Sequence, residues 1–364
     1  MPKSPKYLLV GSTEAYSGKS TTVLGLSHQL IQKGLDIAYG KPLGTCLSES
    51  LGSLVEQDVE FIGSSLNLSA NRKAPTLLAL DDLAIQKRLL GEDKSNYKQS
   101  FIEQYSQLPA GDLVLLEGAG NLDEGCLFDM SLLSIAEAVD AKILLVCRYS
   151  SLLIVELLKS AKERIGNRLI GVVINDIPLS QFEVVNTTVR PYLESISIPV
   201  LGILPKNDLL RSVSVQELVN QLNAQVLCGR NSRLDLIMVE SLAIGAMNVN
   251  SAVKYFRRRH NMAVVTGGDR VEIQQAALET ATQCLILTGQ LPPPAFILNR
   301  AEELDIPILS VDLDTLTTVE IVDKTFGQVR VHEPIKVDCI RHLMAQHFDA
   351  DRLLSSLGLT PAAV

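Results

Sequence analysis

A strand-like run, Tyr7-Leu8-Leu9-Val10, leads straight into Gly11-Ser12-Thr13-Glu14-Ala15-Tyr16-Ser17-Gly18-Lys19-Ser20-Thr21-Thr22, and an amphipathic stretch comes after it. No other feature restricts the fold as much. A glycine-bearing loop that leaves a strand and opens a helix turns a row of unpaired backbone N–H groups toward an anion, and it belongs to β-α-β units with a parallel sheet. Lys19 can reach the terminal phosphates of a bound polyphosphate, the Ser20 hydroxyl can complete a magnesium shell, and Thr21 adds a second hydroxyl near the α-phosphate. Thr13, Glu14, Ser17 and Gly18 complete the cradle. The loop is a variant: the strict spacing G-x-x-x-x-G-K-S/T asks for glycine where Thr13 stands, and the glycine sits at Gly11.

The rest of the chain alternates in the same way. Runs rich in Val, Ile and Leu predict strands at Tyr7 to Gly11, Asp36 to Gly40, Leu113 to Glu117, Lys142 to Cys147, Ile170 to Ile174 and Val200 to Ile203. Helices are predicted at Lys19 to Lys33, Met130 to Val139, Leu152 to Ile165 and Gln181 to Ile196. After Pro205-Lys206-Asn207-Asp208 a polar passage to about Arg233 reads as a domain junction, and a second series then begins. Its strands are expected at Leu234 to Val239, Met262 to Thr266, Cys284 to Thr288 and Pro307 to Val311, and its helices at Val249 to Arg259, Arg270 to Thr280, Pro294 to Leu304 and Thr315 to Lys324. The expected class is α/β: a parallel-sheet nucleotide-binding domain over residues 1–210, a smaller α/β domain over 211–328, and a helical tail over 329–364 with a helix near Ile335 to His347.

Composition narrows the partners. At 364 residues the length favours two domains, and 46% hydrophobic with 20% charged residues excludes bulk disorder. Lys and Arg total 33 against 41 for Asp and Glu, so the net charge of -8 offers no field for nucleic acid or anionic lipid. Apolar runs at Ile143 to Val146 and Leu152 to Leu158 are broken by Arg148 and Tyr149, short of the roughly 18 residues of a membrane span. The opening Met1-Pro2-Lys3-Ser4-Pro5-Lys6 leaves no room for a cleaved signal, so the expected compartment is the cytoplasm. Cys46, Cys126, Cys147, Cys228, Cys284 and Cys339 form no C-x-x-C pair, and the five histidines sit beside no nucleophile signature. A zinc site and a triad hydrolase are both disfavoured.

A phosphate loop needs carboxylate to hold its magnesium. Glu117 closes the apolar strand Leu113-Val114-Leu115-Leu116 and precedes Gly118-Ala119-Gly120, whose small residues admit close approach of a ligand. Asp58, in Glu56-Gln57-Asp58-Val59-Glu60-Phe61, heads an expected helix and is the second candidate, with a capping or surface role as the alternative. Lys41, at a strand end in Gly40-Lys41-Pro42-Leu43-Gly44-Thr45, could stabilise a transferring phosphoryl group.

Together, the loop, Lys41-Pro42, Leu116-Glu117-Gly118-Ala119-Gly120, Gly171-Val172-Val173-Ile174-Asn175-Asp176 and Ile198-Pro199-Val200-Leu201-Gly202-Ile203-Leu204-Pro205 resemble dethiobiotin synthetase and cobyrinic acid a,c-diamide synthase over roughly the first 210 residues. The resemblance implies ATP and Mg2+ as cofactors, Lys19 and Ser20 on phosphate and metal, Asp58 and Glu117 as metal ligands, Lys41 at the phosphoryl-transfer centre, and Asn175 and Pro205 around the adenine. Ser12-Thr13-Glu14-Ala15 and Lys41-Pro42-Leu43-Gly44-Thr45-Cys46 depart from the Gly-Thr-Asp-Thr and Lys-Pro-x-x-Thr-Gly segments of dethiobiotin synthetases, which points to altered substrate contacts.

Farther on, Ala263-Val264-Val265-Thr266-Gly267-Gly268-Asp269-Arg270 and Leu285-Ile286-Leu287-Thr288-Gly289 resemble the DRTGG domain. Thr266, Gly267, Gly268, Asp269 and Arg270 could hold a small anion or nucleotide, or form a tight turn at a subunit contact. The order of the two domains resembles the amino-terminal half of bacterial phosphotransacetylase, without the acetyl-transfer domain. The resemblance implies an ATP- and magnesium-binding regulator or slow ATPase, a homo-oligomer, with no acetyl transfer. An ATP-dependent ligase and a scaffold with a vestigial loop are the alternatives.

Overall fold

The computed structural model describes residues 6–44, 47–50, 53–108, 111–229, 233–327 and 333–360. Thr45 and Cys46, and the opening Met1 to Pro5, lie outside the described residues. The chain divides into two compact units, Met1–Lys206 with Val337–Val364, and Asn207–Lys336.

In the first unit β1 (Lys6–Ser12), β2 (Ile37–Gly40), β3 (Lys73–Ala74), β4 (Leu113–Glu117), β5 (Lys142–Arg148), β6 (Leu169–Ile177) and β7 (Val200–Pro205) form one 7-stranded sheet in the order β7-β6-β5-β1-β4-β2-β3. Every pairing is parallel. Such sheets are covered on both faces, which is why Leu113 to Glu117 and Ile143 to Cys147 are buried residue after residue with no polar alternation. Helix α1 (Lys19–Gln32) joins β1 to β2, α2 (Gln57–Ser65) follows β2, and α3 (Leu132–Ala138), α4 (Ile154–Ile165), and α5 (Leu179–Val184) with α6 (Arg190–Ser195) connect the later strands. A π turn at Val185–Val189 links α5 to α6, a feature that periodicity does not disclose. The core runs along the sheet through Leu9, Leu116, Leu132, Leu145, Val172 and Ile203.

In the second unit, β8 (Gln225–Cys228), β9 (Ser241–Ile244), β10 (Met262–Gly267), β11 (Thr282–Thr288) and β12 (Ile308–Val311) form a 5-stranded sheet in the order β8-β12-β11-β10-β9, in which only β8 runs antiparallel to its neighbour. The passage expected to be a junction is structured: Val215–Leu222 is a helix capped by Ser214, and β8 follows it. The strand expected at Leu234 to Val239 shrinks to Met238–Val239, paired with Val213–Ser214 outside this sheet. A turn closed by the Leu236 N–H on the Arg233 carbonyl bends the chain there and leaves Leu236 52% exposed, so the edge strand is β9 instead.

The last residues group with the first unit rather than standing apart. Phe348 bridges Gly202 on β7, the Asp349 N–H donates to the Leu201 carbonyl, and Arg352 grips both oxygens of Glu194 at 2.7 Å. A helix at Ala350–Leu357, beyond the one foreseen near Ile335 to His347, buries Leu353, Leu354 and Leu357. No helix among the described residues is long and apolar enough to cross a membrane.

Candidate functional site

Strand β1 ends at Ser12 and α1 begins at Lys19, so the loop between them lies at the carboxyl ends of parallel strands, where such sheets hold ligands. Gly18 makes the entry to α1 with φ 97, a left-handed conformation that favours glycine. No side chain caps the helix and its first turn holds no acidic residue, so its leading N–H groups and dipole face the loop uncompensated.

The Lys19 ammonium lies buried on the Ser12 hydroxyl at 2.8 Å, and that hydroxyl stands 2.8 Å from the carbonyls of Glu14 and Gly120. Burial lowers the pKa of Lys19 from its ordinary value, against the opposing pull of Glu117. Thr13 Oγ1 and Ser17 Oγ are buried and without a hydrogen-bond partner. Buried hydroxyls are seldom left so, and both lie in the loop that should cradle phosphate. Glu14 is exposed, and Thr21 is half-buried in the first turn.

One layer deeper, Ser20 Oγ donates to Glu117 Oε1 at 2.7 Å, and the fully buried Tyr39 hydroxyl donates to Glu117 Oε2 at 2.9 Å. Register explains the meeting: Glu117 pairs with Val10 of β1, and its neighbour Leu116 with Gly40 of β2. Burial raises the Glu117 carboxyl above its ordinary range; Lys41 and Lys19 oppose this and Asp58 reinforces it. Lys41, one residue past β2, holds Glu56 Oε1 at 2.6 Å and Asp58 Oδ2 at 2.5 Å. Burial by itself would lower the pKa of its ammonium, but Glu117, Asp58 and Glu56 overcome that and raise it.

The structure therefore brings together Ser17, Gly18, Lys19, Ser20, Lys41, Asp58 and Glu117. It adds Ser12, Tyr39 and Glu56, which sequence reasoning passes over. Tyr39 had a signal: it stands two residues before Lys41, on the same face of an extended chain. Asn175 also reaches the loop, where its Nδ2 donates to the Ser17 carbonyl at 2.9 Å, an engagement that base recognition did not foresee. Pro205 closes β7 opposite Ile177. Among the described residues no three His, Cys, Asp or Glu side chains converge as a metal cage. The donors present, a hydroxyl and carboxylates, nevertheless suit magnesium, which takes few protein ligands and completes its shell with water and phosphate.

In the second unit the loop after β10 is tied down by its own side chains. Thr266 donates to the Gly245 carbonyl at 3.1 Å, Arg270 to that of Met247 at 2.8 Å, and the buried Gln274 amide to those of Gly267 and Gly268 at 3.1 and 3.0 Å. A methyl group on Gly268 would overlap the Leu291 backbone, so glycine is required there by close approach. Asp269 is exposed.

This geometry defines a P-loop unit and a separate α/β unit, and comparison with known proteins agrees. Residues 6–214 match the AAA domain family and residues 217–325 the DRTGG domain. The chain belongs to the AAA domain family and carries a DRTGG domain after it. It is 25% identical to the phosphate acetyltransferase of Nitratidesulfovibrio vulgaris, over 96% of this chain and 51% of that protein, and 24% identical to that of Synechocystis sp., over 97% and 53%. The chain thus spans about half the length of the curated relatives it matches. Among solved structures, the CBS and DRTGG domains of the regulatory region of Clostridium perfringens pyrophosphatase, complexed with its activator diadenosine tetraphosphate, match at 20% identity over 40% of this chain and 58% of that one, with a TM-score of 0.29.

Proposed function

We propose that the first unit binds ATP with magnesium at the loop between β1 and α1, and that the DRTGG unit regulates what the first does. The protein acts, on this reading, as a nucleotide-dependent regulator or slow ATPase. The observation that carries it is the pair of partnerless buried hydroxyls, Thr13 Oγ1 and Ser17 Oγ, with the buried Lys19 ammonium at an uncapped helix start. A polyphosphate would satisfy all of these groups together.

Within this reading Lys19 moves from Ser12 onto the terminal phosphates, and Ser20, Glu117 and Asp58 hold the cation. Magnesium, when bound, supplies charge that offsets the phosphates. Tyr39 keeps Glu117 oriented by occupying its second oxygen. Asn175 steadies the loop by holding the Ser17 carbonyl. The loop Thr266 to Arg270 serves as a braced turn through which the DRTGG unit meets a small ligand or a second copy of the chain. Acetyl transfer is named for relatives about twice as long, and we assign none of it to these two units.

A thermal-shift screen of ATP, ADP and GTP with and without magnesium tests the reading. A native-state ligand at about 100 times its Kd stabilises by about 2.7 kcal/mol. A rise in Tm with ATP and magnesium that Lys19→Ala removes is the expected result. No rise with any nucleotide would overturn it.

A further inference from the structure

The charge balance around Lys41 leads beyond nucleotide binding. The side chains of Lys41 and Glu56 are 7% and 0% exposed, and that of Asp58 15%. Glu117 is 2% exposed, and its field also acts on Lys41. Carboxylates this deep are costly unless matched by positive charge. Lys19 and Lys41 offset much of this charge, so a divalent cation that must also shed water finds less of it to draw on. The phosphates of a nucleotide would supply the remainder.

Geometry points the same way. The Lys41 ammonium sits on Asp58 Oδ2 at 2.5 Å, an oxygen that a cation held by Asp58 would need, and a buried ammonium and a divalent cation repel strongly when they share one carboxylate. The ammonium sits on a flexible stem and has a second buried partner in Glu56.

We propose that Lys41 is a built-in counter-cation: without nucleotide it holds Asp58 in place of the metal, and it yields to Glu56 when a divalent cation arrives with the polyphosphate. Cation uptake is thereby made conditional on nucleotide. Glu56 is the positioning residue that keeps the displaced lysine close. This inference rests on the nucleotide and magnesium reading above.

The test uses the full chain and Mn2+ in place of magnesium, with free Mn2+ read by electron paramagnetic resonance. Once the Mn2+ held by the same nucleotide without protein is subtracted, wild type should bind Mn2+ weakly alone and at least about tenfold more tightly with ATP or ADP, a factor of ten being about 1.4 kcal/mol. Lys41→Met should bind Mn2+ at least about tenfold more tightly than wild type without any nucleotide, Lys41→Gln should do the same should the first variant fold poorly, and Lys41→Arg should gain nothing. Adding Asp58→Asn to Lys41→Met should remove the gain. The inference is overturned if wild type binds Mn2+ alone as tightly as the neutral variants, if Lys41→Arg gains as they do, or if the gain survives Asp58→Asn. Failure of wild type to bind Mn2+ with ATP is a different result, and it removes the nucleotide reading itself.

Discussion

Replacing Gly18 with alanine should destabilise the first unit by about 2–3 kcal/mol, and the size can be worked from its two causes. At φ 97 an alanine must adopt a left-handed conformation, which costs about 1–2 kcal/mol. Its methyl group would also overlap Asn175 Nδ2. Displacing that amide breaks the 2.9 Å bond to the Ser17 carbonyl, worth about 1 kcal/mol. Asn175→Ala alone should cost about that same 1 kcal/mol. In the double variant the overlap is gone and the bond is lost only once, so the pair should cost no more than Gly18→Ala alone, with a coupling of about 1 kcal/mol. Urea denaturation of the full chain reads this out; circular dichroism is the suitable probe because the sequence has no Trp. At an m value of roughly 2–3 kcal/mol/M, Gly18→Ala should move the midpoint by about 1 M. Costs that add to within about 0.5 kcal/mol would show that the two residues do not meet and that Asn175 does not brace the loop.

Glu117→Gln keeps the shape but removes the charge shared by Ser20 and Tyr39, so magnesium-dependent ATP hydrolysis should vanish while the far-ultraviolet spectrum stays unchanged. Because the Asn175 amide holds the loop, Asn175→Ala should weaken ATP and GTP by the same factor, up to about tenfold; a calorimetric change in their ratio would put the amide on the base instead. The double change Asp269→Ala with Arg270→Ala should leave ATP affinity nearly intact and alter mass in light scattering, since Arg270 ties a loop of the second unit only; a collapse of ATP binding in a folded protein would count against a regulatory DRTGG unit. The hydrogen bond from Arg352 holds Glu194 below the usual carboxylate range. Its contribution is therefore present above the unfolded carboxylate pKa and lost as pH falls through the lower folded one. Acid unfolding followed by circular dichroism should lose part of its pH dependence in Glu194→Gln, and an unchanged profile would show that the pair contributes nothing.

Local pattern carried a good part of this protein. Leu113 to Glu117 was legible to the residue, because a strand buried on both faces is a continuous apolar run and Glu117 ends it. The loop from Gly11 to Thr22 was equally plain, since a glycine beside Lys19 and Ser20 is a message within one turn of chain. A place at a strand end and at a helix head singled out Lys41 and Asp58, and family resemblance added their roles, but no local pattern describes their environment. Tertiary structure alone decided the rest. Tyr39 and Ser20 converge on Glu117 from 78 and 97 residues away, and Arg352 reaches Glu194 across 158. Neither pairing leaves a period in the sequence. The passage after Asp208 to about Arg233 reads as a junction in the sequence because a helix of 8 residues and a strand of 4 are too short to announce themselves among Ser, Gln and Asn. Sequence periodicity reports which face of an element avoids water; which carboxylate that face brings to which ammonium is settled by the order and register of the strands, and these depend on contacts that close only when the whole sheet assembles.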